Sequence, residues 1–269
     1  MNKKLYFGHF PSKKLGQHFL IDQSVINKII NVINPKNIEL LIEIGPGLGS
    51  LTRSMLLLID DLYVIEIDKQ LVNKLKNFTN SYKLIIFCQD VLSFDFFSFL
   101  NIKKNVRVFG NLPYNISTAV LLHLIKYVSV FYDMNFMLQK EVADRILAQP
   151  DSKNYGRLSI IIQYFFDVKF LFEVSSKSFF PEPKVTSVFL KFKPYITYQY
   201  TLRDVSYLSL ITKLAFGQRR KMIKNSLSNL FNEHNLIKLG ISPLLRAENL
   251  SIIEYCCLAN YLYDCQLKK

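Results

Sequence analysis

The sequence predicts an α/β protein with a mainly parallel sheet and helices on both faces, followed by a small all-α C-terminal domain. Three observations carry this. From residue 40 to residue 138, short apolar, β-branched runs alternate with stretches of helical periodicity, the order that gives parallel strands joined by crossover helices. A glycine-rich turn, Gly45-Pro46-Gly47-Leu48-Gly49, joins the first of these runs to a helical stretch, as ligand-binding turns of such sheets do. After Pro194 the alternation stops and only helical periodicity remains.

In chain order, a basic arm (Lys3, Lys4, Lys13, Lys14) leads into Gly16-Gln17-His18-Phe19-Leu20. Asp22 or Ser24 can cap a helix reaching about Val32, with Val25, Ile26, Ile29, Ile30 and Ile33 on its apolar face. Residues 40–44 read as a strand, 48–58 as a helix, 62–67 as a strand and 69–78 as a helix. Strands follow at 84–87 and 106–109, a helix at 118–127 and a strand at 131–138. Helical segments near 140–147 and 158–166 precede strands at 168–172 and 185–192. A polar, Tyr-rich link then marks the expected boundary between a domain of residues 1–196 and one of residues 197–269.

The chain of 269 residues is 50% hydrophobic, which argues against disorder. It has no apolar run near the ~20 residues that a membrane helix needs. The basic start is followed by Gly8, His9, Pro11 and Lys13 rather than an apolar core, so a cytoplasmic protein is expected. Four cysteines and four scattered histidines show neither ligand-spaced clusters nor a disulfide framework, and no metal is expected. Lysine and arginine number 34 against 21 acids, a net charge of +13. That excess suits a polyanion, most simply nucleic acid, although a composition rich in Lys and Asn and devoid of Trp raises the charge without any partner.

The first strand ends in Glu43-Ile44 before the glycine turn, where Gly45 and Gly47 let a ligand approach the main chain. The next strand ends Glu66-Ile67-Asp68, an acid about 20 residues on, where it can hold ribose hydroxyls. The third is trailed by Gln89-Asp90-Val91. Three successive strands thus bring Gly45, Glu66, and Asp90 with Val91 to one edge, a set that fits an adenosine-type ligand. NAD satisfies the same geometry.

Val106-Arg107-Val108-Phe109-Gly110 reads as a fourth buried strand, closed by Asn111-Leu112-Pro113-Tyr114. An ordinary Asx turn also satisfies this tetrapeptide taken alone. Its alternative use is chemical. The amine of adenine is a poor nucleophile because its lone pair is delocalised into the ring. The Asn111 side chain and the Leu112 carbonyl can hold both its N–H bonds, Pro113 fixes the direction of that carbonyl, and Tyr114 can stack on the base. Hydride transfer has no use for such a clamp, so the residues point to methyl transfer onto an adenine nitrogen.

With these residues in hand, the chain resembles the ribosomal RNA adenine dimethyltransferases, specifically the small-subunit enzymes, nearly end to end. The resemblance rests on residues 16–20, 43–52, 110–118, 138–143, 155–159, 179–185, 219–221 and 246–251. It implies a Rossmann-like methyltransferase sheet and S-adenosylmethionine as donor, contacted by His18, Leu20, Gly45, Glu66, Asp90 and Asn111 with Gln17 nearby. It implies as substrate two adjacent adenosines in a hairpin loop near the 3′ end of small-subunit rRNA, each converted to N6,N6-dimethyladenosine, in the assembling small subunit. Phe179 matches the aromatic that covers the second face of the target base, although Ser175-Ser176 stand where relatives usually carry prolines.

Beside such a site, Arg219, Arg220 and Lys221 read as phosphate contacts, with Lys13 and Lys14 as a second set. A monomer without membrane association is expected. Two other functions fit parts of the pattern: the large-subunit rRNA adenine methyltransferases of macrolide resistance, and a non-catalytic nucleic-acid-binding descendant of the fold.

Overall fold

In the computed structural model, residues 5–101 and 105–267 are described; Lys3 and Lys4 of the basic arm lie outside them. Two units emerge, one of residues 1–143 and 168–194, the other of 144–167 and 195–269. The chain passes between the units three times, the last time at 194–195, two residues before the boundary expected from sequence. The segment 144–167, assigned from sequence to the first domain, joins the C-terminal unit instead. Its apolar residues Leu158, Ile160 and Ile162 are buried against helices that come much later in the chain, a choice that local periodicity does not reveal.

The first unit opens with β1 (Phe19–Leu20) and α1 (Gln23–Ile33). Asp22 caps α1 by accepting from the Ser24 and Val25 N–H groups, and its other oxygen accepts from Ser178 Oγ at 2.9 Å. Ile26, Ile29, Ile30 and Ile33 face the core, each side chain stabilising by about 1.5–3 kcal/mol when fully buried. There follow β2 (Leu40–Ile44), α2 (Ser50–Met55), β3 (Leu62–Ile65), α3 (Lys69–Lys76), β4 (Leu84–Phe87), β5 (Val106–Asn111), α4 (Ser117–Leu124) and β6 (Phe131–Gln139). The chain returns with β7 (Phe166–Val174), β8 (Phe179–Phe180) and β9 (Ser187–Pro194).

The main sheet has seven strands in the order β4-β3-β2-β5-β6-β9-β7. Strands β2 to β6 run parallel and β9 pairs antiparallel with β6. Helix α2 is shorter than the 48–58 expected: it starts only at Ser50, because Gly49 before it is left-handed at φ 77°, and it ends at Met55, with 56–58 in a turn. The strand β5 is longer than expected and carries Asn111 as its last residue. A two-stranded ladder that sequence periodicity did not indicate pairs β1 antiparallel with β8, Leu20 opposite Phe179 and Phe19 opposite Phe180. Two residues are too few to show an alternation.

At the edge of the sheet where the parallel strands begin, Arg107 donates to both Asp133 oxygens at 2.8 and 2.9 Å and to Glu39 at 2.9 Å. Lys191 reaches the same Asp133 carboxylate at 2.9 Å. At the opposite edge, Gly110 is pressed against β2. A Cβ there would lie 2.3 Å from the Ile44 carbonyl oxygen, so only glycine lets β5 deliver residue 111 at this depth.

Helix α5 (Lys140–Leu147) spans the division at 143–144, and in the second unit α6 (Arg157–Phe165) is followed by α7 (Val205–Gly217), α8 (Ile223–Ser226), α9 (Glu233–Lys238) and α10 (Ile252–Gln266). Its core includes the buried Tyr155, whose hydroxyl donates to the Leu250 carbonyl, and Tyr255, whose hydroxyl donates to that of Ala247. No helix among the described residues is long and apolar enough to cross a membrane.

Replacing Gly110 with Ala forces a backbone carbonyl to move, and such overpacking costs about 1–3 kcal/mol. Thermal unfolding of Gly110→Ala is expected several degrees below wild type; an unchanged Tm would show that β2 and β5 do not approach as described.

Candidate active site

The ends of β2, β3, β4 and β5 and residues 14–20 of the arm line a cavity of about 200 Å³. Among its lining residues are His18, Leu20, Gly45, Gly47, Glu66, Asp90, Val91 and the whole run 111–114. The structure therefore brings together the residues assigned from sequence to the donor and to the target amine. Gly45 and Gly47 sit at φ 67° and 59°, the left-handed turn that glycine favours. Gly45 N–H extends the ladder by donating to the Ile65 carbonyl at 2.9 Å.

Glu66 is almost fully buried. Its two oxygens accept from the backbone of Gly47 at 3.2 Å and of Asp68 at 2.9 Å, which orients the carboxylate and leaves further lone pairs for a ligand. Burial pushes its pKa up. Below it, Glu43 is buried at 2% exposure and accepts from Thr52 Oγ1 at 2.7 Å. Burial raises its pKa to about 8, opposed by the Thr52 hydrogen bond and helped by the nearby Glu66 charge. Asp90 caps the turn after β4 by accepting from Leu92 N–H. A wall carrying the Glu66 and Asp90 carboxyls suits a cationic ligand and opposes a diphosphate, while Glu43 behind it holds its proton.

Asn111 is fixed through its amide. Its Nδ2 donates to the His18 carbonyl at 2.8 Å, while its Oδ1 is buried and has no hydrogen-bond partner. No hydrogen bond reaches the Leu112 carbonyl among the described residues. Both oxygens expected to hold an amine are thus without a hydrogen-bond partner, and the Asx turn that would occupy Asn111 Oδ1 is not formed.

The Tyr114 ring is held from two sides. Its hydroxyl shares a 2.6 Å hydrogen bond with Ser187 Oγ, and the His18 imidazole stacks on it with centroids 5.2 Å apart. His18 Nδ1 carries its proton toward the Pro181 carbonyl at 2.6 Å, since a carbonyl can only accept. Ser187 was not foreseen, since nothing in its local sequence marks it; Pro181 lies in the 179–185 block, but the role of its carbonyl was not foreseen. Glu43 had a readable signal, as the only acid in the apolar run Leu40–Ile44.

Two of the assigned side chains are engaged in packing or in tethering the arm. Phe179 does not line the cavity: its ring is 2% exposed and packs in the core with Leu20, Ile26 and Val174. The β1–β8 ladder turns it inward, and Phe180 packs outward against Tyr6. Gln17 lines the cavity, but its amide oxygen accepts from Ser12 N–H at 2.8 Å and from His9 Nε2 at 3.1 Å, and its amide nitrogen donates to Asp68 at 3.0 Å. It ties down the arm. Lys13 and Lys14 are exposed on that arm.

In the second unit, Arg219 is engaged internally. It pairs with Glu248 at 2.7 Å and donates to the Lys153 carbonyl at 2.7 Å. Arg220 and Lys221 are exposed beside it.

Three outcomes are expected. Glu43 binds a proton in the folded protein between the ordinary carboxyl range and about pH 8, so stability falls as pH rises through that window. Glu43→Gln is expected to flatten the loss of Tm between pH 5 and pH 8, measured without ligand; an unaltered slope would place the titration elsewhere. Replacing Arg220 and Lys221 with Ala is expected to lower the salt slope of RNA binding by about 2 with Tm unchanged. Arg219→Ala is expected to lower Tm, because it leaves Glu248 unpaired.

Residues 9–264 match the family model described as ribosomal RNA adenine dimethylase. Over 256 residues the chain is 53% identical to "Ribosomal RNA small subunit methyltransferase A" of Buchnera aphidicola subsp. Acyrthosiphon pisum, covering 95% of this chain and 94% of that protein. The protein of the same name from Citrobacter koseri is 47% identical over 268 residues, 98% of this chain and 97% of its own. Among solved structures, a dimethyladenosine transferase from Plasmodium falciparum aligns with a TM-score of 0.73 at 26% identity, covering 89% of this chain and 95% of that one. The chain belongs to the ribosomal RNA adenine dimethylase family.

Proposed function

We propose that the protein transfers methyl groups from S-adenosylmethionine to N6 of two adjacent adenosines in a hairpin loop near the 3′ end of small-subunit rRNA, within the assembling subunit. The observation that carries this reading is the pair of open oxygens, Asn111 Oδ1 and the Leu112 carbonyl, at the edge of a cavity with an acidic wall. Relatives named for the small subunit support the choice of particle.

When bound, S-adenosylmethionine supplies an electrophilic methyl group. Glu66 would hold its ribose hydroxyls, Asp90 its adenine amine, and the backbone at Gly45 and Gly47 would admit its close approach; the acidic wall suits its positive charge. The remaining chemistry belongs to the chain's own groups. Asn111 Oδ1 and the Leu112 carbonyl accept the two N–H bonds of the target amine. This draws its lone pair out of the ring and aims it at the donor side. Pro113 holds the Leu112 carbonyl in direction, and Tyr114, anchored by Ser187 and His18, supports the base. Alignment of this kind is worth up to ~7–11 kcal/mol. The attacked nitrogen becomes acidic as it gains carbon, so its proton leaves without a dedicated strong base. After the first transfer one N–H remains, and a single oxygen suffices to orient it.

Unmethylated small subunits incubated with the wild type are expected to yield dimethyladenosine by mass spectrometry of the rRNA, and Asn111→Ala to slow transfer by about 10²–10³-fold. Methyl groups found only on large-subunit rRNA would overturn the assignment in favour of the macrolide-resistance type.

A further inference from the structure

Residues 5–10 of the arm form a small hairpin whose outward rings have no role in the site described above. Tyr6 and His9 exchange both backbone hydrogen bonds at 2.9 Å, and the turn between them places Phe7 at φ 46° and Gly8 at φ 67°. A left-handed conformation is uncommon for an aromatic residue. The hairpin is nonetheless firmly seated. His9 is buried and donates to Gln17, and Lys74 Nζ donates to the Phe7 carbonyl at 2.9 Å.

On this hydrogen-bonded mount Phe7 is 71% exposed and Phe10 52% exposed. The rings also continue outward from the cavity. Pro181 receives the His18 hydrogen bond beside Tyr114; its neighbour Phe180 stacks on Tyr6 with centroids 4.6 Å apart, and Tyr6 meets Phe7 edge-on at 4.6 Å. Exposed Lys13 and Lys14 follow Phe10 within about 14 Å of chain, and Lys14 lines the cavity mouth. Aromatic faces interleaved with cations beside a base-accepting cavity are the parts that hold unpaired nucleotides, by stacking on the rings and by charge on the phosphates.

We propose that Phe7 and Phe10 form a stacking platform for unpaired rRNA bases flanking the target adenosine, with Lys13 and Lys14 on the linking phosphates. This rests on the methyltransferase reading, which methylation of small subunits by the wild type checks separately. The test measures equilibrium binding of the full-length protein to unmethylated small subunits. Combined Phe7→Ser and Phe10→Ser is expected to raise Kd about 10- to 100-fold, while Tm and S-adenosylmethionine affinity stay at wild-type values. Phe7→Trp is expected to retain affinity within about twofold, since stacking needs a ring and not this ring. Tyr82→Ser, which removes an 81% exposed ring before β4, is the control for general loss of aromatic surface. With p-benzoylphenylalanine replacing Phe7, photo-crosslinks to rRNA are expected. An unchanged Kd in the double variant, an equal loss in Tyr82→Ser, or crosslinks to a protein of the particle or to a second copy of this chain would each overturn the proposal.

Discussion

The side-chain amide of Asn111 uses its donor on the His18 carbonyl and leaves its acceptor buried and unpaired. An unsatisfied buried oxygen costs about 1–3 kcal/mol, and the surrounding structure bears that cost at a place where an amine can relieve it. Everything nearby serves to keep the amide in this state. Gly110 packs against the Ile44 carbonyl, so residue 111 arrives at a set depth. The Leu112 N–H bonds to the Met137 carbonyl at 3.3 Å, and Leu112 itself lines the cavity.

The arm completes the site that the sheet begins. Gln17 ties it to Asp68, the N-cap of α3, and Asn115 ties the Lys14 carbonyl at 3.0 Å. His18 then works at three points: its carbonyl holds Asn111, its ring stacks on Tyr114, and its Nδ1 is fixed by Pro181. The 179–185 block bears on the site through the Pro181 backbone, while the Phe179 ring stabilises the core beneath. In the proposed reading the donor pocket and the target-base site therefore share a wall, and displacing the arm would disturb both.

Much of the site was readable because strand ends announce themselves. Glu66 and Asp90 stand directly after apolar runs, and the glycines between Glu43 and Ser50 can do little else than turn. Arg219 shows the limit of such reading. In sequence it is one of three adjacent cations, yet Glu248 and the Lys153 carbonyl engage its guanidinium while Arg220 stays exposed. Ser187 is a plain strand residue until Tyr114 is placed opposite it.

The order and type of the elements, the edge at which polar residues gather and the acid-glycine-amide chemistry there follow from residue pattern, because side-chain periodicity and turn propensity are local properties. The inward turn of Phe179, the capture of segment 144–167 by the helical unit and the single unpaired oxygen of Asn111 arise from contacts between residues far apart in the chain. Burial and hydrogen-bond satisfaction are settled only when those distant groups meet, and so no local pattern records them.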